Sequence, residues 1–102
     1  FSGPATWFVP SLHGGSMGAC GEYEADDSYV VALNSVQYGD MTKKSSWCGK
    51  TIRVHYQGKS VEAVINDACP ECQYGAIDLT PPVFNTLGDP DVGILQVKWE
   101  LV

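Results

Sequence analysis

Asp67 and Asp78 stand eleven residues apart, each at or inside an apolar, β-branched run, with the short turn Cys69-Pro70-Glu71-Cys72 between them. A Cys-x-x-Cys turn folds a chain back and can bring two such carboxylates to one surface. A carboxyl group in apolar surroundings has its pKa raised. That is what a general acid needs, and general acids drive glycosidic chemistry. The competing reading is structural: Asp67 caps a turn and Asp78 caps the helix that follows.

The cysteines themselves admit three readings. A redox pair at Cys69 and Cys72 wants a thiolate at a helix N-terminus within a βαβ unit. Asp67, two residues upstream, disfavours a thiolate, and no βαβ pattern is visible. A four-cysteine zinc site shows two close pairs, whereas Cys20 and Cys48 are twenty-eight residues apart. Two disulfides are the favoured reading. They put the chain in an oxidising compartment, as a secreted, extracellular protein. His13 and His55 lie too far apart in sequence to imply a site, His13 in a Gly-rich loop and His55 on the solvent face of a strand. No metal and no cofactor are expected.

The elements that must position the two aspartates read as short strands. Ala5 to Val9 is a first strand stopped by Pro10, and Ser11 to Glu22 is a loop. Tyr29 to Leu33 is a continuous apolar run, hence buried. Asn34-Ser35 caps one helical turn that ends at Gly39. From Lys50 to Tyr56 the pattern alternates, with Ile52, Val54 and Tyr56 on one face and Arg53 and His55 on the other. Gln57-Gly58-Lys59 is a hairpin turn, and Val61, Ala63 and Ile65 line the returning strand. Thr80 before Pro81-Pro82 predicts a helix N-cap, with Val83, Phe84 and Leu87 inward and Gly88 at the end. Asp89-Pro90-Asp91 is a turn, and Ile94 to Leu101 is the last strand. Five or six strands and one short helix make a mostly β domain. Periodicity alone does not separate a closed barrel from a sandwich.

With 102 residues there is room for one core and one domain, 1–102. The net charge of −6 excludes nucleic acid and anionic membrane as expected partners, because both require clustered Lys and Arg. No run is long enough to span a membrane. A neutral polysaccharide fits the charge better. Trp99, Tyr56 and Phe84 are expected in the core. Trp7, Trp47 and Tyr74 lie beside loops, where rings stack on sugar faces. Taken singly each is a structural ring; two or more aligned beside Asp78 make a sugar platform.

Gly18-Ala19-Cys20-Gly21, Trp47-Cys48-Gly49-Lys50, Asp67-Ala68-Cys69-Pro70-Glu71-Cys72, Ile77-Asp78-Leu79-Thr80 and Val97-Lys98-Trp99, in this order, resemble expansin-like single-domain proteins. Among these the fungal loosenins are nearest. The chain is also similar to the expansin first domain, rare lipoprotein A domains, barwin-type proteins and family-45 endoglucanases. The resemblance implies an all-β, six-stranded double-psi β-barrel with one or two short helices and a polysaccharide groove. It implies Cys20 paired with Cys48, and Cys69 with Cys72 across the local turn. It makes Asp78 the shared groove aspartate, Asp67 a second groove aspartate, and Thr6 a groove threonine that bonds to Asp78. Where bacterial expansins carry a tyrosine two residues after the second aspartate, this chain has Cys69, so stacking must pass to Tyr74, Trp7 or another ring. The endoglucanases place a base carboxylate after the first-strand pattern, and Thr6-Trp7-Phe8-Val9 has none. A second, carbohydrate-binding domain is not expected within this chain.

The resemblance thus implies a monomeric protein that binds and loosens cell-wall polysaccharide, cellulose or chitin, without conventional hydrolysis. Two rivals stay open. One is a lytic glycan-cleaving enzyme in which Asp78 alone serves as acid and then base. The other is a barwin-like protein-binding module, either a protease inhibitor or an effector.

Overall fold

A computed structural model of the chain describes residues 1–12, 18–21 and 23–102. The expectation for His13 lies outside the described residues. Six strands close into a barrel: β1 (Ser2–Trp7), β2 (Val30–Asn34), β3 (Thr51–Tyr56), β4 (Lys59–Cys69), β5 (Ile77–Leu79) and β6 (Leu95–Leu101). Around the barrel the order is β1-β5-β2-β4-β3-β6, and β6 returns to β1. Closure removes the exposed edges that short strands would otherwise present. Two of the pairings, β1–β5 and β2–β4, are parallel; the others are antiparallel.

The inward face is the alternating apolar set. Ala5, Val31, Leu33, Ile52, Val54, Ile65, Ile77, Leu79, Val97 and Trp99 form one buried cluster with Val83, Phe84 and Leu87. Those last three come from helix α2 (Pro81–Leu87), as its apolar spacing predicts. Helix α1 (Ser35–Tyr38) is the single turn expected after Asn34. The Asn34 side chain accepts from Gln37 N at 2.9 Å, and its Nδ2 donates to Ala76 O at 3.0 Å. One buried amide thus ties the end of β2 to the turn before β5. The β3–β4 hairpin turns at Gln57 and Gly58, both with positive φ (48° and 80°), the geometry that matches strand twist. His55 faces solvent, 2.6 Å from Glu100.

Most strand ends lie within a residue of the sequence reading, and three features differ further. The first strand is Ser2–Trp7 rather than Ala5 to Val9. Gly3 and Pro4 obscure it, but Pro4 pairs only with β6 (opposite Gln96), because the β5 pairing begins at Ala5. A residue without an N–H is tolerated where one side has no partner strand. Thr80 does stand at the N-cap of α2, yet its hydroxyl makes no cap bond. Pro82 at N2 lacks an N–H and Val83 N at N3 donates to the Thr80 carbonyl at 3.1 Å, so Thr80 Oγ1 instead donates to Ser28 O at 2.5 Å and accepts from Val30 N at 3.3 Å. Asp89-Pro90-Asp91 becomes a short 3-10 turn, Pro90–Val92.

β1 approaches the turn before β5 closely enough to exclude side chains. A Cβ on Gly75 (φ +85°) would stand 2.2 Å from Ser2 O, and one on Gly3 would stand 2.6 Å from Gly75 O. Trp99 Nε1 donates to the same Gly75 carbonyl at 2.9 Å. Gly75→Ala therefore meets both a left-handed backbone and a backbone clash, whereas Gly58→Ala meets only the first, with nothing within 4 Å. We expect Gly75→Ala to cost more than about 3 kcal/mol and Gly58→Ala about 1 kcal/mol, read from denaturant midpoints. Equal costs would mean the β1–turn contact is slack.

Candidate functional site

The strand register assembles the candidate residues. Thr6 pairs with Asp78 across β1–β5, Asp78 with Ala32 across β5–β2, and Ala32 with Asp67 across β2–β4. Thr6, Asp78, Ala32 and Asp67 are therefore one row across four strands, with the two aspartates a strand apart on either side of Ala32. Their backbones are about 10 Å apart, two strand spacings. Asp78 lies between the inward Ile77 and Leu79, and Ala32 between the inward Val31 and Leu33. Strand alternation turns both to the outer face. Thr6 Oγ1 donates to Asp78 Oδ1 at 2.8 Å, which fixes that side chain in the row.

Asp67 reaches the outer face through a bulge. Val31 pairs with Ile65, but Ala32 pairs with Asp67, so Asn66 is an extra residue in β4. Without it Asn66 would oppose Ala32, and Asp67 would point toward the core. A bulge re-aims side chains in this way. Asp67 Oδ1 then accepts from Ala19 N and Ala68 N, both at 2.8 Å. The Gly18–Gly21 segment is thereby laid against the end of β4, where Cys20 N also donates to Asn66 O at 3.2 Å. Gly18 has to be glycine here: its Cβ would stand 2.3 Å from Asn66 O and 2.7 Å from Glu24 Oε1. Cys20 is bonded to Cys48 and Cys69 to Cys72. The first bridge joins this segment to the loop before β3, and the second closes the turn between the two aspartates.

The sequence reading did not single out Glu24. Its side chain is wholly buried, and Asn66 Nδ2 donates to its Oε1 at 3.1 Å. Burial, reinforced by the neighbouring charge of Asp67, pushes its pKa from the ordinary 4.5 up to about 8; the Asn66 bond opposes the shift. Nothing in the sequence marks it. It lies in an acidic stretch with Asp26 and Asp27 that reads as a solvated loop.

The rings divide. Trp99 and Phe84 are core residues, and Tyr56 is half-buried against the core. Trp7 and Tyr74 are exposed, at 37% and 60%. Trp7 is held by its Nε1, which donates to Pro90 O at 3.0 Å. The two rings lie toward opposite ends of the β1–β5 strip, with Thr6–Asp78 between. Trp47 is not a free loop ring. It packs edge-on to Phe1 (5.9 Å) and Trp99 (6.1 Å), with Phe1 stacked on Trp99 at 4.5 Å. This cluster caps one mouth of the barrel, and Trp47 lines a shallow cavity of about 240 Å³ with Ser46, Lys50 and Leu101.

Six strands closed in this order, with two parallel pairings and a threonine–aspartate bond on the outer face, define a double-psi β-barrel. The family model described as "Lytic transglycolase" matches residues 1–99, and the chain belongs to this double-psi β-barrel family. Among relatives, it is 30% identical over 78 residues to the Allergen Asp f 7 homolog of Arthroderma benhamiae, covering 76% of this chain and 27% of that one. It is 28% identical over 89 residues to the papain inhibitor of Streptomyces mobaraensis, covering 83% of this chain and 62% of that one. The chain thus spans less than two thirds of either relative. Among solved structures, the Streptomyces papain inhibitor superposes with a TM-score of 0.85 at 24% identity, over 100% of this chain and 93% of that one. A mutant Clavibacter michiganensis expansin in complex with cellohexaose superposes with a TM-score of 0.81 at 27% identity, over 99% of this chain and 49% of that one. The chain is therefore expansin-like in fold and sequence.

Glu24 carries a stability prediction. Between pH 4.5 and about 8 the folded chain keeps a proton that the unfolded chain has released, so stability falls as pH rises through that window. The loss is at most about 5 kcal/mol. Glu24→Gln, which cannot ionise, should flatten that part of the curve. Denaturant unfolding at pH 5, 6.5 and 8 measures it; an unchanged slope in the variant would assign the pH dependence elsewhere.

Proposed function

We propose that this domain is a secreted, monomeric protein that binds a neutral cell-wall glycan, cellulose or chitin, along the Thr6–Asp78–Ala32–Asp67 row and loosens it without conventional hydrolysis. The observation that carries this reading is the 2.8 Å bond from Thr6 to Asp78 on the outer barrel face, in a chain similar to an expansin solved with cellohexaose. Asp78 accepts from a sugar hydroxyl or faces a glycosidic oxygen, with Thr6 holding its orientation. Asp67 accepts from a neighbouring sugar. Trp7 and Tyr74 offer ring faces at the two ends of the strip, and Trp47 widens the contact at the barrel mouth. The two disulfides fit an oxidising, extracellular setting.

Hydrolysis by inversion needs a second carboxylate that holds a water. No carboxylate follows Thr6 in β1. Asp67 Oδ1 already accepts two backbone bonds, which fixes the orientation of the carboxylate and leaves Oδ2 as its open oxygen. A row of fixed acceptors is better suited to exchanging hydrogen bonds with a glycan than to activating water. Each exchange is worth about 1 kcal/mol net, so binding is weak and several contacts act together.

A second reading has its own observation. The chain is 28% identical over 89 residues to the papain inhibitor of Streptomyces mobaraensis, and the solved Streptomyces papain inhibitor superposes on it with a TM-score of 0.85. Inhibition of papain by the purified domain, unchanged in Asp78→Asn, would favour that reading over the groove.

For the glycan reading, Asp78→Asn should abolish weakening of cellulose or chitin sheets at unchanged stability. Thr6→Val should reduce it several-fold, since a charge-assisted bond is lost. Wild type should release no more reducing ends than Asp78→Asn. Catalytic release of reducing ends that stops in Asp67→Asn would replace loosening with an endoglucanase-like reaction. Anhydro-sugar products would replace it with lytic cleavage by Asp78 alone.

A further inference from the structure

Glu24 is a buried carboxyl with no role in the groove as described so far. Its Oε1 accepts from Asn66, but its Oε2 is buried with no donor to bond, because the neighbouring Asp67 as a carboxylate offers only acceptors. A buried, unpaired carboxylate oxygen next to a second carboxylate is costly twice over, by lost hydration and by repulsion. One proton shared between the two removes both costs. Among the described residues the charged group facing Glu24 is Asp67 of β4. Asn66 offers a neutral amide. The Gly18–Cys20 segment offers backbone atoms and a disulfide-bonded cysteine, neither of which titrates.

Asp67 has acceptor sites to spare on one oxygen only. Its Oδ1 takes Ala19 N and Ala68 N, and a carboxylate has about four sites in all. Oδ2 keeps two, enough for one proton from beneath and one hydroxyl from outside. We propose that Glu24 is a positioning residue of the groove: as the neutral acid it donates to Asp67 and holds that carboxylate at the angle from which it meets a sugar hydroxyl. The inference rests on the glycan reading of the groove. Glu24 itself is wholly buried and acts through Asp67. Its pKa of about 8 keeps the proton in place at neutral pH. When Glu24 loses its proton at higher pH, it repels the Asp67 carboxylate, and the Gly18–Gly21 segment, bonded to Asp67 through Ala19 N and to Asn66 through Cys20 N, loses its anchor.

Glu24→Gln keeps a donor and cannot ionise; Glu24→Ala keeps neither the donor nor the volume. Cellohexaose and chitohexaose binding is measured by NMR titration at pH 6 and pH 9.5, together with the amide shifts of Ala19 and Ala68 across the same range. For wild type, affinity for whichever oligosaccharide binds should fall about tenfold or more between the two pH values, and both amides should shift with one midpoint near pH 8. Glu24→Gln should bind like wild type at pH 6, keep that affinity at pH 9.5 and show flat amide shifts. Glu24→Ala should bind about tenfold more weakly at both. Wild-type and Glu24→Gln profiles that coincide, or Ala19 and Ala68 amides indifferent to pH, overturn the inference even if Glu24→Ala fails to fold. Absence of binding to either oligosaccharide at any pH overturns the groove reading, and the amide shifts then decide whether Glu24 holds Asp67.

Discussion

The arrangement of the Thr6–Asp78–Ala32–Asp67 row depends on one register constraint. Ala32 of β2 is paired with Asp78 on one side and Asp67 on the other. Because side chains in a strand alternate, a slip of one residue in either pairing would turn an aspartate into the core. On the β5 side the register is held by burial of Ile77 and Leu79. On the β4 side burial alone would give the wrong answer. Ile65 is inward and Ala68 packs against the core, three residues apart, which an unbroken strand does not allow. Asn66 absorbs the mismatch as a bulge, and its own polar groups are then put to use. Its carbonyl takes Cys20 N, and its amide reaches Glu24.

The same bulge explains why a loop of small residues is needed beside it. Gly18-Ala19-Cys20-Gly21 must lie close enough for Ala19 N to reach Asp67, which a side chain at position 18 would prevent. The Cys20–Cys48 bridge then links this segment to the Trp47 loop, which in turn packs on Phe1 and Trp99 at the barrel mouth. Backbone register, loop and aromatic cap form one connected path. In the proposed function that connection keeps Asp67 stiff while the groove exchanges hydrogen bonds.

Much of this was legible in the residues. The alternation of Ile52 with Val54, the Gln57-Gly58 turn, the Asn34 cap and the Val83-Phe84-Leu87 face each encode an element locally, and each appears where the pattern has it. The closed six-stranded architecture came from the ordered motifs and not from periodicity, which carries no information on which strands are neighbours. Thr6 and Asp78 were legible as a pair only through the resemblance, because 72 residues separate them. The bulge was not read from the sequence: Val61, Ala63 and Ile65 mark one face of β4, and the register shift beyond them emerges only from the pairing with β2. Glu24 was not visible at all. Its burial is produced by a segment folding over it, and an acidic stretch running to Asp27 gives no sign that Glu24 faces inward while Asp26 and Asp27 face water.

In the proposed function, what the aspartate row holds fixed is as informative as what it offers. Thr6 bonds one oxygen of Asp78, and two backbone amides bond one oxygen of Asp67. A water-activating base needs an open acceptor aimed at a water across the sugar ring, and it gains from being able to move. A surface that loosens a glycan needs the reverse: acceptors already oriented, so that a hydroxyl leaving one chain finds its new partner without reorganisation. Such a surface must also let go. With each exchange near 1 kcal/mol, a handful of contacts gives an occupancy that is short-lived. A groove that bound much more tightly would stay on one chain instead of passing from junction to junction.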